Sequence, residues 1–225
     1  MTNEIPGILR QVKTLLGDAE LRWAVCGGYA LELYLGHPIR DHGDLDLSVP
    51  EENREQVLRV MLEKGWQVYE FRGQGRMRPL RADTPSEKGR NLMCVRDGCE
   101  LVTFWPCEEP GFVLHEWHPV GIRELNYMEF LFHERSEKAL LVDASVGREL
   151  DRAILRRDGI PFLAPELVLL YKAESPMREV NARDFEAVFP ALEEEGREWL
   201  LRALRERYPA GHPWLKEDVS KELKP

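Results

Sequence analysis

The sequence predicts an α/β (α+β) fold, a sheet flanked by helices in its first part with a helical region behind it. Three observations carry this. The stretch from Trp23 to Val49 switches from an apolar run, through a diglycine and a compact helical segment, to a strict two-residue alternation. Runs rich in β-formers then recur between Trp66 and Val142. Beyond about residue 146 the apolar spacing turns helical and the strands are expected to give out. The division read from this is an α/β domain over 1–145 and a C-terminal helical region over 146–225.

Residues 5–17 place Ile8, Leu9, Val12, Leu15 and Leu16 on one helical face, with Gly17 as the expected stop. Trp23 to Cys26 is a short strand that breaks at Gly27-Gly28, and Leu31, Leu33, Tyr34 and Leu35 supply a helix ended by Gly36. A polar turn over 37–43 leads to a strand in which Asp44, Asp46 and Ser48 alternate with Leu45, Leu47 and Val49. After Pro50, two glutamates open a helix carried by Val57, Leu58, Met61 and Leu62 and ended by Gly65. Trp66 to Phe71 reads as a strand. Residues 72–90 form a basic island with Gly and Pro, expected to be a mobile loop that either clamps an anion or is plain solvated surface. Asp97-Gly98 between two β-rich runs predicts a hairpin of 92–96 with 99–105. Residues 112–117, 127–133 and 139–142 are further strands. His115, Glu116 and His118 fit no familiar zinc spacing. Pro165 sits at a helix start, Asn181 with Asp184 suggests another, and Trp199, Leu200, Ala203 and Leu204 mark a last helix before a charged, frayed tail from Lys216.

The chemistry concentrates in the stretch from Trp23 to Val49. Alternation puts Asp44 and Asp46 on one strand face, where two carboxylates repel unless a cation sits between them. Oxygen ligands of this kind suit Mg²⁺, which also takes oxygens from substrate phosphates. Gly27 and Gly28 let backbone approach a ligand closely, and the helix they open offers free N–H groups to an anion. Strand, diglycine, helix, turn and Asp-x-Asp strand together form a layout for a triphosphate with a metal. Gly-Gly or Asp-x-Asp alone would more often be a turn or a solvated strand face.

With Gly27, Gly28, Tyr29, Arg40, His42, Asp44 and Asp46 in this order, the segment resembles the nucleotidyltransferase superfamily, in its aminoglycoside adenylyltransferase-like branch. Leu163-Ala164-Pro165-Glu166, Leu169 to Ala173, Arg183 to Glu186 and Gly211 to Leu215 resemble the C-terminal helical segment of the same proteins. The lysine-aspartate pair that often opens the Asp-Phe helix in relatives is replaced here by Glu179, Val180 and Asn181. The resemblance excludes residues 72–125. It implies a nucleotidyltransferase-like mixed sheet and transfer of a nucleoside monophosphate from an NTP, ATP by the branch, to a hydroxyl acceptor such as an aminoglycoside-like small molecule. Mg²⁺ would be held by Asp44 and Asp46. Gly27 and Gly28 would take the nucleotide, with Arg40, His42 and Lys172 steadying the turn or touching phosphate. For Lys172 an exposed helix lysine is an equal alternative.

The third acid that this chemistry normally uses is not clear in the sequence. Glu129 lies in a run apolar on both faces, as in a buried central strand, where a carboxylate needs a cation or donors. Glu129 is the first choice and Glu100 the second. If neither converges on Asp44 and Asp46, the chain binds nucleotide or a partner without transfer. A toxin-like enzyme acting on RNA or protein is a further alternative, favoured only by the basic island.

The net charge of −9 with 32% charged residues disfavours a general nucleic-acid partner and suits a cationic acceptor. The first residues carry neither the basic flank nor the apolar length of a signal peptide, and no stretch is long and apolar enough for a bilayer. Cys26, Cys94, Cys99 and Cys107 lack metal-ligand spacing and read as reduced thiols, so the expected location is cytoplasmic, with no membrane partner.

Overall fold

The computed structural model describes residues 5–118, 120–122 and 124–216. Helix α1 (Gly7–Leu16) buries Ile8, Leu9, Val12 and Leu16. Strand β1 (Ala24–Val25) runs straight into α2 (Gly27–Leu35), which Gly36 closes at φ 79°, donating its N–H to the Glu32 carbonyl. Then β2 (Asp46–Pro50) leads through a 3-10 turn into α3 (Arg54–Glu63). A run of strands follows: β3 (Gln67–Gly73), β4 (Arg76–Leu80), β5 (Leu92–Val95), β6 (Val102–Pro106), β7 (Val113–Trp117), β8 (Tyr127–Arg135) and β9 (Ala139–Leu141).

Strands do not give out at residue 146. After β10 (Gly147–Glu149) and α4 (Leu150–Ala153), β11 (Ile154–Arg157) and β12 (Ile160–Leu163) return to the main sheet, β12 lying parallel to β1. The sequence there reads Ile-Leu-Arg-Arg-Asp-Gly-Ile-Pro-Phe-Leu. Its Asp-Gly turn, with Asp158 and Gly159 both at positive φ, is a hairpin signal that the nearby helices mask. Four α-helices close the described part of the chain: α5 (Pro165–Lys172), α6 (Glu179–Val188), α7 (Glu194–Arg207) and α8 (Pro213–Lys216). Helix α6 starts two residues before Asn181. That side chain donates instead to the carbonyls of Lys172 and Ser175, tying α6 to the end of α5. The expected frayed tail lies outside the described residues from 217 on.

The strand order is β11-β12-β1-β2-β8-β5-β3-β4-β7-β6, with β9 and β10 attached to β8. Two pairings, β1 with β12 and β2 with β8, are parallel and the others antiparallel, so the sheet is mixed as expected. β8 sits between β2 and β5, which is why its sequence is apolar on both faces. The Asp97-Gly98 hairpin does not form. Both edges of β5 are taken, by β3 and β8, and β6 pairs with β7. The Asp-Gly pair still makes a turn, with the Cys99 N–H donating to the Arg96 carbonyl.

The sheet curls. In a flat sheet, β7 and β8 would lie about 19 Å apart, four strand spacings. Instead the Trp117 and Tyr127 rings meet edge to face at 5.4 Å. The concave side so formed holds a small apolar cluster of Met77, Met93, Val95, Leu101, Val102 and Tyr127. The main core lies elsewhere, where Val25, Leu47, Val49 and Phe130 pack with residues from α1, α2, α3 and α5.

The basic island is not one loop. Residues 72–80 belong to the β3–β4 hairpin, 81–90 are irregular, and most of the charges are paired. Glu70, fully buried, takes Arg72 at 3.0 Å and Arg78 at 2.8 Å. Arg76 pairs with Glu109, Lys88 with Glu134, and Glu87 with both Arg72 and Arg90. Three of these acids come from outside residues 72–90, so composition alone could not show the pairing.

Candidate active site

The site is built where β1 ends, α2 begins and β2 and β8 run side by side. Cys26 donates its N–H to the Asp46 carbonyl at 2.9 Å, which pins the end of β1 to the start of β2. Gly27 follows at φ 64°, a conformation that favours glycine. A Cβ at Gly27 would lie 2.3 Å from Asp46 Oδ2, and one at Gly28 would lie 2.2 Å from His42 Cε1. The first glycine therefore makes room for the carboxylate and the second for the turn before it.

Asp46 and Glu129 are register partners on parallel strands, so their side chains share a face. Asp44 is not in the strand, which begins at Asp46; it is exposed in the extended segment just before. It is nonetheless close enough to raise the proton affinity of both other acids. Asp46 is held well above the usual carboxylate range, first by burial and then by the charges of Asp44 and Glu129. Glu129 is pushed up to about 7, chiefly by burial, while the Tyr127 hydroxyl pulls it back down and Asp44 adds to the rise. That hydroxyl donates to Glu129 Oε1 at 2.5 Å. Neither Asp44 nor Asp46 receives a side-chain hydrogen bond among the described residues. The structure thus brings Asp44, Asp46 and Glu129 together. Glu100 is exposed in the loop before β6, lining a separate cavity with Val120, Gly121 and Ile122.

Arg40 and Lys172 meet on one residue, Asp184 of α6. Arg40 grips it with two nitrogens, at 3.0 Å from Oδ1 and 3.2 Å from Oδ2, and Lys172 Nζ shares Oδ2 at 2.9 Å. Asp184 is fully buried; burial would raise its pKa, but the two cations hold it below the ordinary aspartate value. Lys172 still lines the cleft beside Gly27 and Asp46, so it is neither an exposed helix lysine nor a free one. His42 is buried with its ring 4.2 Å from that of Tyr29, and its Nε2 lies 2.9 Å from Glu32 Oε1, close but off the line of a good hydrogen bond. Glu32 also accepts the N–H groups of Ile39 and Arg40, fixing the polar turn from inside. Arg40 and His42 therefore shape the turn. Glu32, Tyr127 and Asp184 are the residues that sequence reasoning missed in these roles. Only Asp184 stood inside a motif, the Asp-Phe helix.

The cleft over this face has a volume of about 470 Å³, with Asp46, Ser48 and His133 on its floor and Tyr171, Lys172, Ser175 and Arg178 on its helical side. Among the described residues no group of three or more His, Cys, Asp or Glu is set to hold a metal by itself. The carboxylates nonetheless fit a divalent cation completed by substrate oxygens, because the unsatisfied Asp46 is crowded by two further acids. His115 and His118 are engaged elsewhere, with the Gly75 carbonyl and the Thr103 hydroxyl.

The mixed sheet flanked by helices is similar to the fold of nucleotidyltransferases of known structure. Residues 8–94 match the family model described as Aminoglycoside-2''-adenylyltransferase. The solution structure of the antibiotic-resistance factor ANT(2'')-Ia is 16% identical over 90% of this chain and 92% of that one, with a TM-score of 0.52. Its crystal structure in complex with adenylyl-2''-tobramycin gives 16% identity, 89% and 96% coverage and a TM-score of 0.51. No curated protein sequence matches significantly. In sequence and fold, the chain is similar to the aminoglycoside adenylyltransferase-like branch of the nucleotidyltransferases.

Proposed function

We propose that this chain is a metal-dependent nucleotidyltransferase that moves a nucleoside monophosphate from an NTP, ATP by similarity, to the hydroxyl of a small-molecule acceptor. One observation supports it above the others. Three carboxylates influence one another's charge, two of them without donors, and one of these, Asp46, lies directly against the diglycine that opens α2. Asp44 and Asp46 are the residues that would hold Mg²⁺, which when bound neutralises charge on the phosphates. The α2 N-terminus offers its free N–H groups to phosphate. Glu129, with a pKa near neutrality, is suited to accept the acceptor's proton as its oxygen attacks the α-phosphorus and pyrophosphate leaves. Arg40 and Lys172, anchored on Asp184, hold the α5–α6 wall of the cleft in place. A cytoplasmic setting suits this chemistry, and four free cysteines support it. No described helix is long and apolar enough to cross a membrane.

A second reading, nucleotide binding without transfer, draws on the Tyr127 bond, which already occupies one oxygen of Glu129. The toxin-like reading loses the support of the basic island, whose charges are mostly paired. The deciding experiment incubates the protein with α-labelled nucleotides and Mg²⁺ against aminoglycosides, tRNA and protein. Label should pass to a small hydroxyl acceptor in the parent and not in Asp46→Asn. Nucleotide binding with no transfer to any acceptor would establish the second reading instead.

A further inference from the structure

The sheet face that carries Asp46 continues past the carboxylates. Strand alternation puts Asp46, Ser48 and Pro50 of β2 on that face, with Glu129, His133 and Arg135 of β8 beside them. Across β1 the same register adds Ala24, and through β12 and β11 it adds Pro161 and Arg156. A second cavity of about 540 Å³ opens here, and it shares Ser48 and His133 with the cleft over Asp46. Pro50 lies four residues beyond Asp46, roughly 13 Å at strand rise. The two cavities are thus successive reaches of one groove.

Their charges differ. Lys13, Arg22, Arg135 and Arg156 line the far reach, with no aspartate or glutamate among its lining residues. Glu52 answers both Arg22 and Arg135, each at 3.2 Å. Among the described residues Lys13 donates only to the Asp158 carbonyl, a neutral group, and Arg156 has no partner. Four cations against one shared carboxylate leave a positive basin in a chain of net charge −9. A basin of this sign repels a polycation and attracts phosphate. Its volume suits a small molecule, where a long nucleic acid would meet the acidic remainder of the surface.

We propose that the far reach binds the phosphate of a phosphate-bearing hydroxyl compound, presenting that compound as the acceptor to the Asp46 end of the groove. The phosphate site stands on its own geometry; the acceptor role rests on the transferase reading given above. Ser48 and His133, hydrogen-bonded at 2.8 Å, floor the passage between the two ends.

Ribose 5-phosphate serves as probe, with ribose as control, in calorimetric titrations at low salt. The parent should bind the phosphate ester and not ribose. Lys13→Glu with Arg156→Glu, both exposed, should weaken binding about tenfold or more by reversing the basin's charge. Lys13→Ala with Arg156→Ala should give a smaller loss, which keeps the test decisive if charge reversal perturbs folding. Glu100→Gln, exposed and on a separate cavity, should bind as the parent does. No binding by the parent, or binding unaffected by both charge variants, overturns the phosphate site. The transfer assay then offers ribose 5-phosphate and an aminoglycoside side by side. Label on the phosphate ester, lost with the charge variants, supports the acceptor role. Transfer to the aminoglycoside alone overturns that role while leaving the transferase reading intact, and phosphate binding with no transfer to any acceptor removes the transferase reading and leaves the phosphate site.

Discussion

Replacing Glu129 with Gln should stabilise the metal-free protein increasingly as pH rises from about 4.5 to 7, and fully above that. The parent carboxyl shifts from its ordinary 4.5 to about 7 on folding. A group whose folded pKa is raised contributes stability that is full below its unfolded pKa and lost as pH rises through the folded value. The loss here falls between about pH 4.5 and 7. A shift of about 2.5 units at 1.36 kcal/mol each sets a ceiling of roughly 3 kcal/mol. Partial exposure and solvent screening bring the expectation to about 1–2 kcal/mol. Gln keeps a carbonyl oxygen for the Tyr127 hydroxyl, so the substitution removes charge without orphaning that donor. For a chain of 225 residues this corresponds to roughly 3–6 °C in Tm. Thermal melts of both proteins in chelator, from pH 4.5 to 8.5, read the effect directly. The variant should melt higher at pH 8 and together with the parent near pH 4.5. A variant that melts lower at pH 8, or a difference that does not change with pH, would refute the crowding of the three acids.

Asp46→Asn should be no less stable than the parent without metal, and Mg²⁺ with nucleotide should raise the parent's Tm but hardly the variant's; equal stabilisation of both would place the metal elsewhere. Gly27→Ala forces a methyl against Asp46 Oδ2 at positive φ, so urea denaturation should show a loss of about 1–3 kcal/mol together with loss of nucleotide binding. Asp184→Asn strands Arg40 and Lys172 beside a neutral group and should cost about 3–5 kcal/mol in the same experiment, against less than about 1 kcal/mol for the exposed Glu100→Gln.

Much of the site was legible in the chain because its signals are local. A diglycine between a strand and a helix, and aspartates two apart before an apolar alternation, specify their own geometry within a few residues. Glu129 was legible for a related reason: the six residues from Tyr127 to Phe132 are otherwise apolar on both faces and mark a central strand, where a carboxylate demands an explanation. Asp44 shows the limit of such reading. Its alternation with Asp46 is in the sequence, but the strand begins only where β8 and β1 supply hydrogen-bond partners.

Pairing between distant segments was what the sequence could not show. The Asp97-Gly98 turn forms without its hairpin because β3 and β8 occupy both edges of β5. Strands β11 and β12 were hidden among helical signals, and they exist because β1, only two residues long, has an open edge for β12 to fill. The basic island read as free charge until Glu70, Glu109 and Glu134 arrived from other strands. Asp184, Arg40 and Lys172 are 144 and 12 positions apart in the chain, and one carboxylate joins them. The sequence alone marked the acids and the glycines, whose residue types and spacing are local signals. Tertiary structure decided which charges are neutralised and which are left facing a cleft, because a charge's partner is set by proximity in space, which the order of residues does not record.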